Sequence, residues 1–223
     1  MISIQSLRHE RLAVDTLEIA PGITTVIGAN GSGKTTLLAI LAGIILPEAG
    51  TVLVDGVPPR KSEIGWVGEF PDRNFIFSRV FDEIACPLRF RHVPAGTIPP
   101  RVQACMEVLG ISPFANRMVQ DLSGGEKVMV ALGAALVANP DLLILDECDS
   151  QLDATRALEV ERAIRISRVR YVVRSTQQMD AAARGDHLIF LERGGIAQAG
   201  TPAQVFGQLA RTPFYPLSWR CRP

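Results

Sequence analysis

This sequence lacks most of what would direct it to a nucleic acid, a structural metal or the interior of a bilayer. Lys and Arg total 23, Asp and Glu total 23, and the formal net charge is zero. The positive footprint of a nucleic-acid-binding protein is therefore missing, and no nucleic-acid partner is expected. The arginines between Arg156 and Arg174 read as a solvated helix face rather than a polyanion site. The four cysteines, Cys86, Cys105, Cys148 and Cys221, show no metal-ligand spacing, and a reduced cytosol is their simplest context. No basic segment with an apolar core opens the chain, which starts on a plausible strand. The longest apolar stretch, Val128 to Ala138, is too short to cross a bilayer. Heptad runs and internal repeats are absent as well.

What remains is an apolar chain of a size that folds. At 223 residues it is expected to form one compact catalytic unit with a full core, a helical subdomain and a short tail. The mean hydropathy of +0.19 is high for a freely soluble protein and fits a subunit that docks on a membrane component.

Two motifs carry chemistry on their own. Gly28, Gly33, Lys34 and Thr35 meet the pattern G-x-x-x-x-G-K-[ST], with Ala29, Asn30, Gly31 and Ser32 between the glycines. The apolar, β-branched run Ile23 to Ile27 reads as a buried strand, and Thr35 to Leu41 as a helix start. That strand–loop–helix context is what a phosphate loop requires. Glycines let backbone N–H groups turn inward around phosphate oxygens, and the helix N-terminus adds partial positive charge. Asn30, Gly31, Ser32, Gly33, Lys34, Thr35 and Thr36 are accordingly candidate nucleotide contacts, with Lys34 on the β/γ-phosphates and the Thr35 hydroxyl on Mg²⁺. Downstream, Leu142 to Leu145 reads as a central strand ending in Asp146-Glu147. In open α/β sheets ligands bind beyond the carboxyl ends of strands. Asp146 is placed to hold Mg²⁺, and Glu147 to polarise an attacking water as general base.

A third stretch, Leu122-Ser123-Gly124-Gly125-Glu126, resembles the LSGGQ-type signature of ATP-binding cassette (ABC) ATPases. The resemblance covers roughly residues 1–206. It implies a P-loop NTPase (RecA-like) α/β core with an antiparallel β subdomain and an inserted α-helical subdomain at about residues 72–138. That gives an ATPase domain over 1–210 and a tail at 211–223. Physically, Ser123 and the Gly124 and Gly125 amides would open a helix and form an anion-binding N-terminus. In the family this element closes on the γ-phosphate held by a partner subunit. The resemblance thus implies two ATP molecules sandwiched in a head-to-tail dimer, homo- or heteromeric, with an integral membrane transport component beside it and Mg²⁺ as cofactor. Ser150-Gln151-Leu152-Asp153 resembles the family's D-loop, and the stretch from Pro71-Asp72 to Ile84 looks most like energy-coupling factor (ECF) ATPases, which power vitamin and transition-metal uptake.

The departures from the family pattern matter too. Glu69 stands where the family has a Gln that touches Mg²⁺ and the attacking water. Gln177 stands at the switch-histidine position, and an amide donates a hydrogen bond but carries no proton or positive charge. Cys148 follows the catalytic Glu where Pro is common and falls inside the expected ATP site. No tyrosine lies in the N-terminal segment to stack on adenine, and His9 is the nearest candidate. The resemblance places the chain at the cytoplasmic face of a membrane as an ATP-hydrolysing transport subunit. A non-transport ABC ATPase, or a weakly hydrolysing subunit of a heterodimer, are the alternatives.

Residues 1–27 read as antiparallel strands, followed by strands at 51–54, 65–67, 142–145, 171–174 and 188–191. Helices are expected at 34–42, 101–109, 125–138, 153–168 and 202–209. The prolines between Pro87 and Pro113 mark the inserted subdomain. In the tail, Phe214 and Trp219 read as packing on their own domain.

Overall fold

The computed structural model describes residues 1–150 and 152–220. Gln151 and Cys221, named above, lie outside the described residues. The chain builds two sheets. β1 (Ile2–His9), β2 (Leu12–Ile19) and β4 (Ala49–Val54) form a three-stranded antiparallel sheet in the order β2-β1-β4. The second sheet has six strands. β3 (Gly22–Ile27), β5 (Ile64–Val67), β6 (Leu142–Asp146), β7 (Tyr171–Ser175), β8 (His187–Glu192) and β9 (Gly195–Gly200) run in the order β5-β6-β7-β3-β8-β9. The first five strands in that order are parallel and β9 closes the edge antiparallel to β8. The expectation that residues 1–27 are all antiparallel is corrected for β3, which pairs in parallel with β7 and β8. Its run of buried side chains on both faces is the mark of a parallel central strand.

Alternation along these strands feeds two cores. Leu142, Ile144, Tyr171 and Val173 face one side, where α1 (Lys34–Leu41) and the antiparallel sheet bury Leu37, Leu38, Ile4 and Val14. Leu143, Leu145 and Val172 face the other side, against the helices inserted between β5 and β6. The period of two is what splits one apolar strand between two layers.

The insert comprises α2 (Val80–Phe90), α3 (Ile98–Leu109) and α4 (Gly124–Leu136). The sequence pattern does not announce α2, because Pro87 sits inside it. An internal proline costs a helix about 3 kcal/mol. Here Val80, Ile84, Ala85 and Leu88 make a buried apolar stripe at helical spacing that offsets the cost. Pro99 and Pro100 do no harm to α3, since they stand in its first turn, where the N–H is unpaired anyway. α4 lies close against β5: a Cβ at Gly65 would stand 2.6 Å from the Ala135 carbonyl oxygen.

α5 (Ala154–Ser167) is tied to the sheet by a buried ion pair between Glu161 and Arg174. Arg174 also donates to Thr25 Oγ1 (3.1 Å) and to the Ala181 carbonyl (2.8 Å) in α6 (Met179–Ala182). The reading of this arginine run as a solvated face is corrected here: Arg174 lies on a central strand and is buried, while Arg162, Arg165 and Arg168 are exposed. After α7 (Pro202–Gln208), the tail folds back. Phe214 meets Phe190 at 5.2 Å between centroids, and Trp219, in the short α8 (Leu217–Arg220), meets Phe206 at 5.5 Å. Phe214 and Trp219 thus pack on their own domain.

Candidate functional site

The phosphate loop leaves β3 at Gly28 and enters α1 at Lys34. Its shape depends on glycine. Gly28 has φ 155°, and a Cβ there would stand 2.2 Å from the Leu191 carbonyl oxygen. Gly33, the N-cap of α1, has φ 103°, a value that L side chains rarely reach. Lys34 is only 5% exposed. Its Nζ donates to the carbonyls of Gly28 (3.0 Å) and Ala29 (3.4 Å) and lies 3.3 Å from Glu147 Oε1. Ser32 is buried, and its Oγ has no hydrogen-bond partner among the described residues. A buried hydroxyl without a partner, a desolvated ammonium and a loop with no room for a Cβ at Gly28 fit the oxygens of a polyphosphate.

Glu147 reaches this loop because the chain kinks where β6 ends. Its φ is 48°, in the left-handed region that a non-glycine residue enters at a cost. Ser175 at the end of β7 fixes the kink: the Glu147 N–H donates to Ser175 Oγ (3.0 Å) and to the Ser175 carbonyl (3.2 Å). The same Oγ donates to Asp146 Oδ1 at 2.6 Å. The buried Asp146 therefore keeps one carboxylate oxygen for its own strand's neighbour, and its Oδ2 makes no hydrogen bond among the described residues. Sequence reasoning did not single out Ser175. Only its place, one step before Thr176-Gln177 on the strand next to the acids, could have signalled it.

Gln177 joins the loop to the acid. Its Nε2 donates to Glu147 Oε2 (2.8 Å) and to Asn30 Oδ1 (3.1 Å), so both amide protons have acceptors. Asn30, Lys34, Glu147 and Gln177 thus form one connected polar cluster, with Asp146 adjoining it through Ser175. Thr35 and Thr36 open α1 beside it. Among the described residues no cluster of three or more His, Cys, Asp or Glu side chains could hold a metal. Magnesium in phosphate-loop proteins commonly takes one or two carboxylates plus phosphate oxygens and waters, so a single hydroxyl and the free oxygen of Asp146 fit that ion.

Other expected residues lie elsewhere. Glu69 follows β5, is exposed, and makes no hydrogen bond or ion pair among the described residues. Ser123 and Gly124 are exposed at the start of α4, with Gly125 beside Arg156, and no hydrogen bond links them to the phosphate loop. They form a capping box: the Glu126 N–H donates to Ser123 Oγ (3.4 Å), and the Ser123 N–H donates to Glu126 Oε2 (2.7 Å). The Glu126 carboxyl is held below its ordinary range, first by that backbone bond from Ser123 and further by Arg117. Cys148 is corrected. It turns away from the nucleotide side into the core against Val160 and Ile164, and burial pushes its thiol up to about 12. His9 turns Nδ1 toward Glu48 at 3.7 Å. The hairpin side chain that reaches the loop is Leu12, 3.4 Å from where a Cβ would stand on Gly33.

A cavity of about 540 Å³ is at the opposite end of the strands, lined by Arg101, Pro140, Asp141 and Arg170. The phosphate loop borders a smaller space of about 210 Å³, shared with Phe190, Arg193 and Phe214. A polar cluster exposed on one side has the form of half a site.

The family model described as "ABC transporter" matches residues 14–150, more than half of the chain. The energy-coupling factor transporter ATP-binding protein EcfA1 of Lactiplantibacillus plantarum is 37% identical over 191 residues, covering 81% of this chain and 68% of that protein. The EcfA1 protein of Lacticaseibacillus paracasei is 36% identical over 210 residues, covering 89% and 76%. Among solved structures, cbiO1 from Clostridium perfringens, described as part of the ABC transporter complex cbiONQ, superposes with a TM-score of 0.84 at 24% identity, covering 95% of each chain. The MJ0796 cassette, solved as a dimer with ADP and Pi, superposes with a TM-score of 0.80 at 22% identity, covering 91% of this chain and 99% of that one. At those identities the two structures speak for the fold.

Proposed function

The chain belongs to the ABC transporter family and is an ATPase of that family, and we propose that it works as the ATP-hydrolysing subunit of an importer of the energy-coupling factor type. In this reading it sits on the cytoplasmic face of a membrane and takes a vitamin or metal-ion uptake system as its setting. The observation that carries the catalytic part is the convergence of Lys34, Glu147, Gln177 and Asn30 on one cluster at the carboxyl ends of β3, β6 and β7. The relatives named above support the transport part. So does the surface: Ile76 and Phe90 are each 65% exposed, beside a groove between β5 and α2 lined by Trp66, Phe75 and Pro87. Exposed large apolar side chains around a groove suit a protein partner. No helix among the described residues is long and apolar enough to cross a membrane.

The residues divide the work. Lys34 and the N–H groups of residues 30–35 bind the phosphates. Thr35 and the free oxygen of Asp146 would hold Mg²⁺, which neutralises charge on the β/γ-phosphates when bound. Glu147 accepts a proton from the attacking water on a carboxylate oxygen, and Gln177 holds that carboxylate in place, tying it to Asn30 of the phosphate loop. Glu69 follows β5 at the same edge of the sheet as Glu147, two residues past the Val67–Leu145 pair, and would approach the metal from there. Ser123, Gly124 and Gly125 serve the ATP held by a second ATPase subunit, identical or not, which supplies the missing wall of this site in return.

The two-surface reading is tested by calorimetry with two variants. Lys34→Ala should weaken ATP binding by about 2–5 kcal/mol, the cost of truncating one partner of a desolvated charge pair. Ser123→Arg should leave the affinity of the single chain unchanged and abolish ATP-driven pairing and turnover. Equal losses of affinity in the two variants would place the signature in the chain's own site and overturn the sandwich.

A further inference from the structure

Gln177 hydrogen-bonds both the phosphate loop and the general base, yet it stands on a connection between β7 and α6 with no regular structure to hold it. Both of its sequence neighbours are tied to one residue. Thr176 Oγ1 donates to Asp149 Oδ2 at 2.8 Å. The same hydroxyl oxygen accepts the Gln178 N–H at 3.0 Å, and Gln178 Nε2 donates to the main-chain carbonyl of Asp149 at 3.2 Å. We propose that Asp149 is a positioning residue for ATP hydrolysis: by holding Thr176 and Gln178, it aims the Gln177 amide at Glu147 and Asn30. The proposal rests on the reading of Glu147 as the base.

The local geometry makes Asp149 the fixed end of this arrangement. The Ser150 N–H closes a turn onto the Glu147 carbonyl (3.1 Å), and the Leu152 N–H bonds the Asp149 carbonyl (3.2 Å). Asp149 therefore moves with Glu147 as one turn. Thr176 follows Ser175, the residue that fixes both Asp146 and the Glu147 backbone. Base, metal carboxylate and switch amide are thus cross-linked through two adjacent hydroxyls, Ser175 and Thr176. Only the second hydroxyl has a carboxylate outside the reacting cluster. A bond from a hydroxyl to a carboxylate is stronger than one to a neutral acceptor, which suits the task of fixing a loop. Burial pushes the Asp149 carboxyl up despite the Thr176 bond and the nearby Arg174.

The test uses the full chain with saturating ATP and Mg²⁺, measuring turnover together with ATP affinity by calorimetry. Asp149→Ala should lower kcat about 10- to 100-fold, as a misplaced group at a reacting centre does, with ATP affinity unchanged. Asp149→Asn keeps an acceptor for Thr176 and should return most of the rate. Thr176→Val, close to isosteric, should reproduce the loss, and combining it with Asp149→Ala should slow the enzyme no further, because both remove one bond. The proposal fails if Asp149→Ala keeps the parental kcat, if kcat and ATP affinity fall together, or if Asp149→Asn is as slow as Asp149→Ala. Glu147→Gln run alongside separates the two readings. A parental rate in that variant would remove Glu147 as the base, whereas its loss beside an unaffected Asp149→Ala would remove only the positioning role.

Discussion

The phosphate loop and the signature are both helix N-termini that present backbone N–H groups, and they are finished in opposite ways. At the loop, Lys34 is buried, Ser32 Oγ has no partner, and Glu147 and Gln177 close in from two other strands. At the signature, Ser123 and Gly124 are exposed, and Ser123 and Glu126 cap each other's N–H groups across the first turn. A helix start with its own cap is stable without a ligand. A loop with a buried ammonium and an unpaired hydroxyl is stable only because neighbouring strands hold it. One surface is built to bind by itself, and the other is built to stand ready against a second molecule.

The sharpest way to break this contrast is Glu147→Gln. The amide keeps the size of the side chain and loses the base. Turnover should fall by about 10²–10⁴-fold, the usual contribution of a general base, while ATP still binds at Lys34. If the signature serves a partner's nucleotide, the variant should accumulate as an ATP-bound dimer on size exclusion with Mg²⁺. A variant that stays monomeric with ATP alone and with a second ATPase subunit would break the sandwich reading.

How much of this was visible beforehand differs between the two regions for the same reason. Gly28 to Thr36 and Leu142 to Glu147 are contiguous motifs whose chemistry is carried by residue type and spacing, and the structure brings their side chains to one cluster. Ser175 and Thr176 were silent because their roles are set by strand order: β7 lies between β6 and β3, which no local pattern records. Cys148 was misplaced because a residue adjacent to Glu147 was taken to share its side. The left-handed turn at Glu147 sends the two side chains apart. Arg174 was read by composition with its neighbours, and one buried Glu on a facing helix reverses that reading. α2 was missed because local propensity at Pro87 was outweighed by a tertiary stripe.

A smaller change sharpens the comparison on the loop side. Gln177 spends both amide protons on Glu147 and Asn30, so it holds the base and adds no charge to the phosphate. Losing one preorganised polar contact to a transition state costs about 10²–10³ in rate, and the amide recovers part of that. We therefore expect Gln177→His to raise kcat under saturating ATP by up to about tenfold, less than that full cost, with ATP affinity unchanged. A slower variant would show that holding Glu147 matters more than charge, and the idea of a slow site would be wrong.

The smallest effect belongs to the signature. Glu126→Gln keeps an oxygen to accept the Ser123 N–H and loses the ion pair with Arg117, whose nitrogen is 3.0 Å away and whose side chain is 40% exposed. Pairs of this kind contribute about 0.2–1 kcal/mol, so the variant should melt slightly lower at neutral pH and hydrolyse ATP at the parental rate. The pH dependence has a definite sign. The folded Glu126 carboxyl titrates below its ordinary value of 4.5, held there by the Ser123 bond and Arg117. Its contribution is therefore present above that value and is lost as the pH falls through the lowered one. Melting curves of parent and variant should differ at neutral pH and converge in acid. A gap that fails to shrink as the pH falls from 4.5 through the lowered value would mean that Glu126 does not owe its stabilising role to charge, and that the cap alone holds the signature helix.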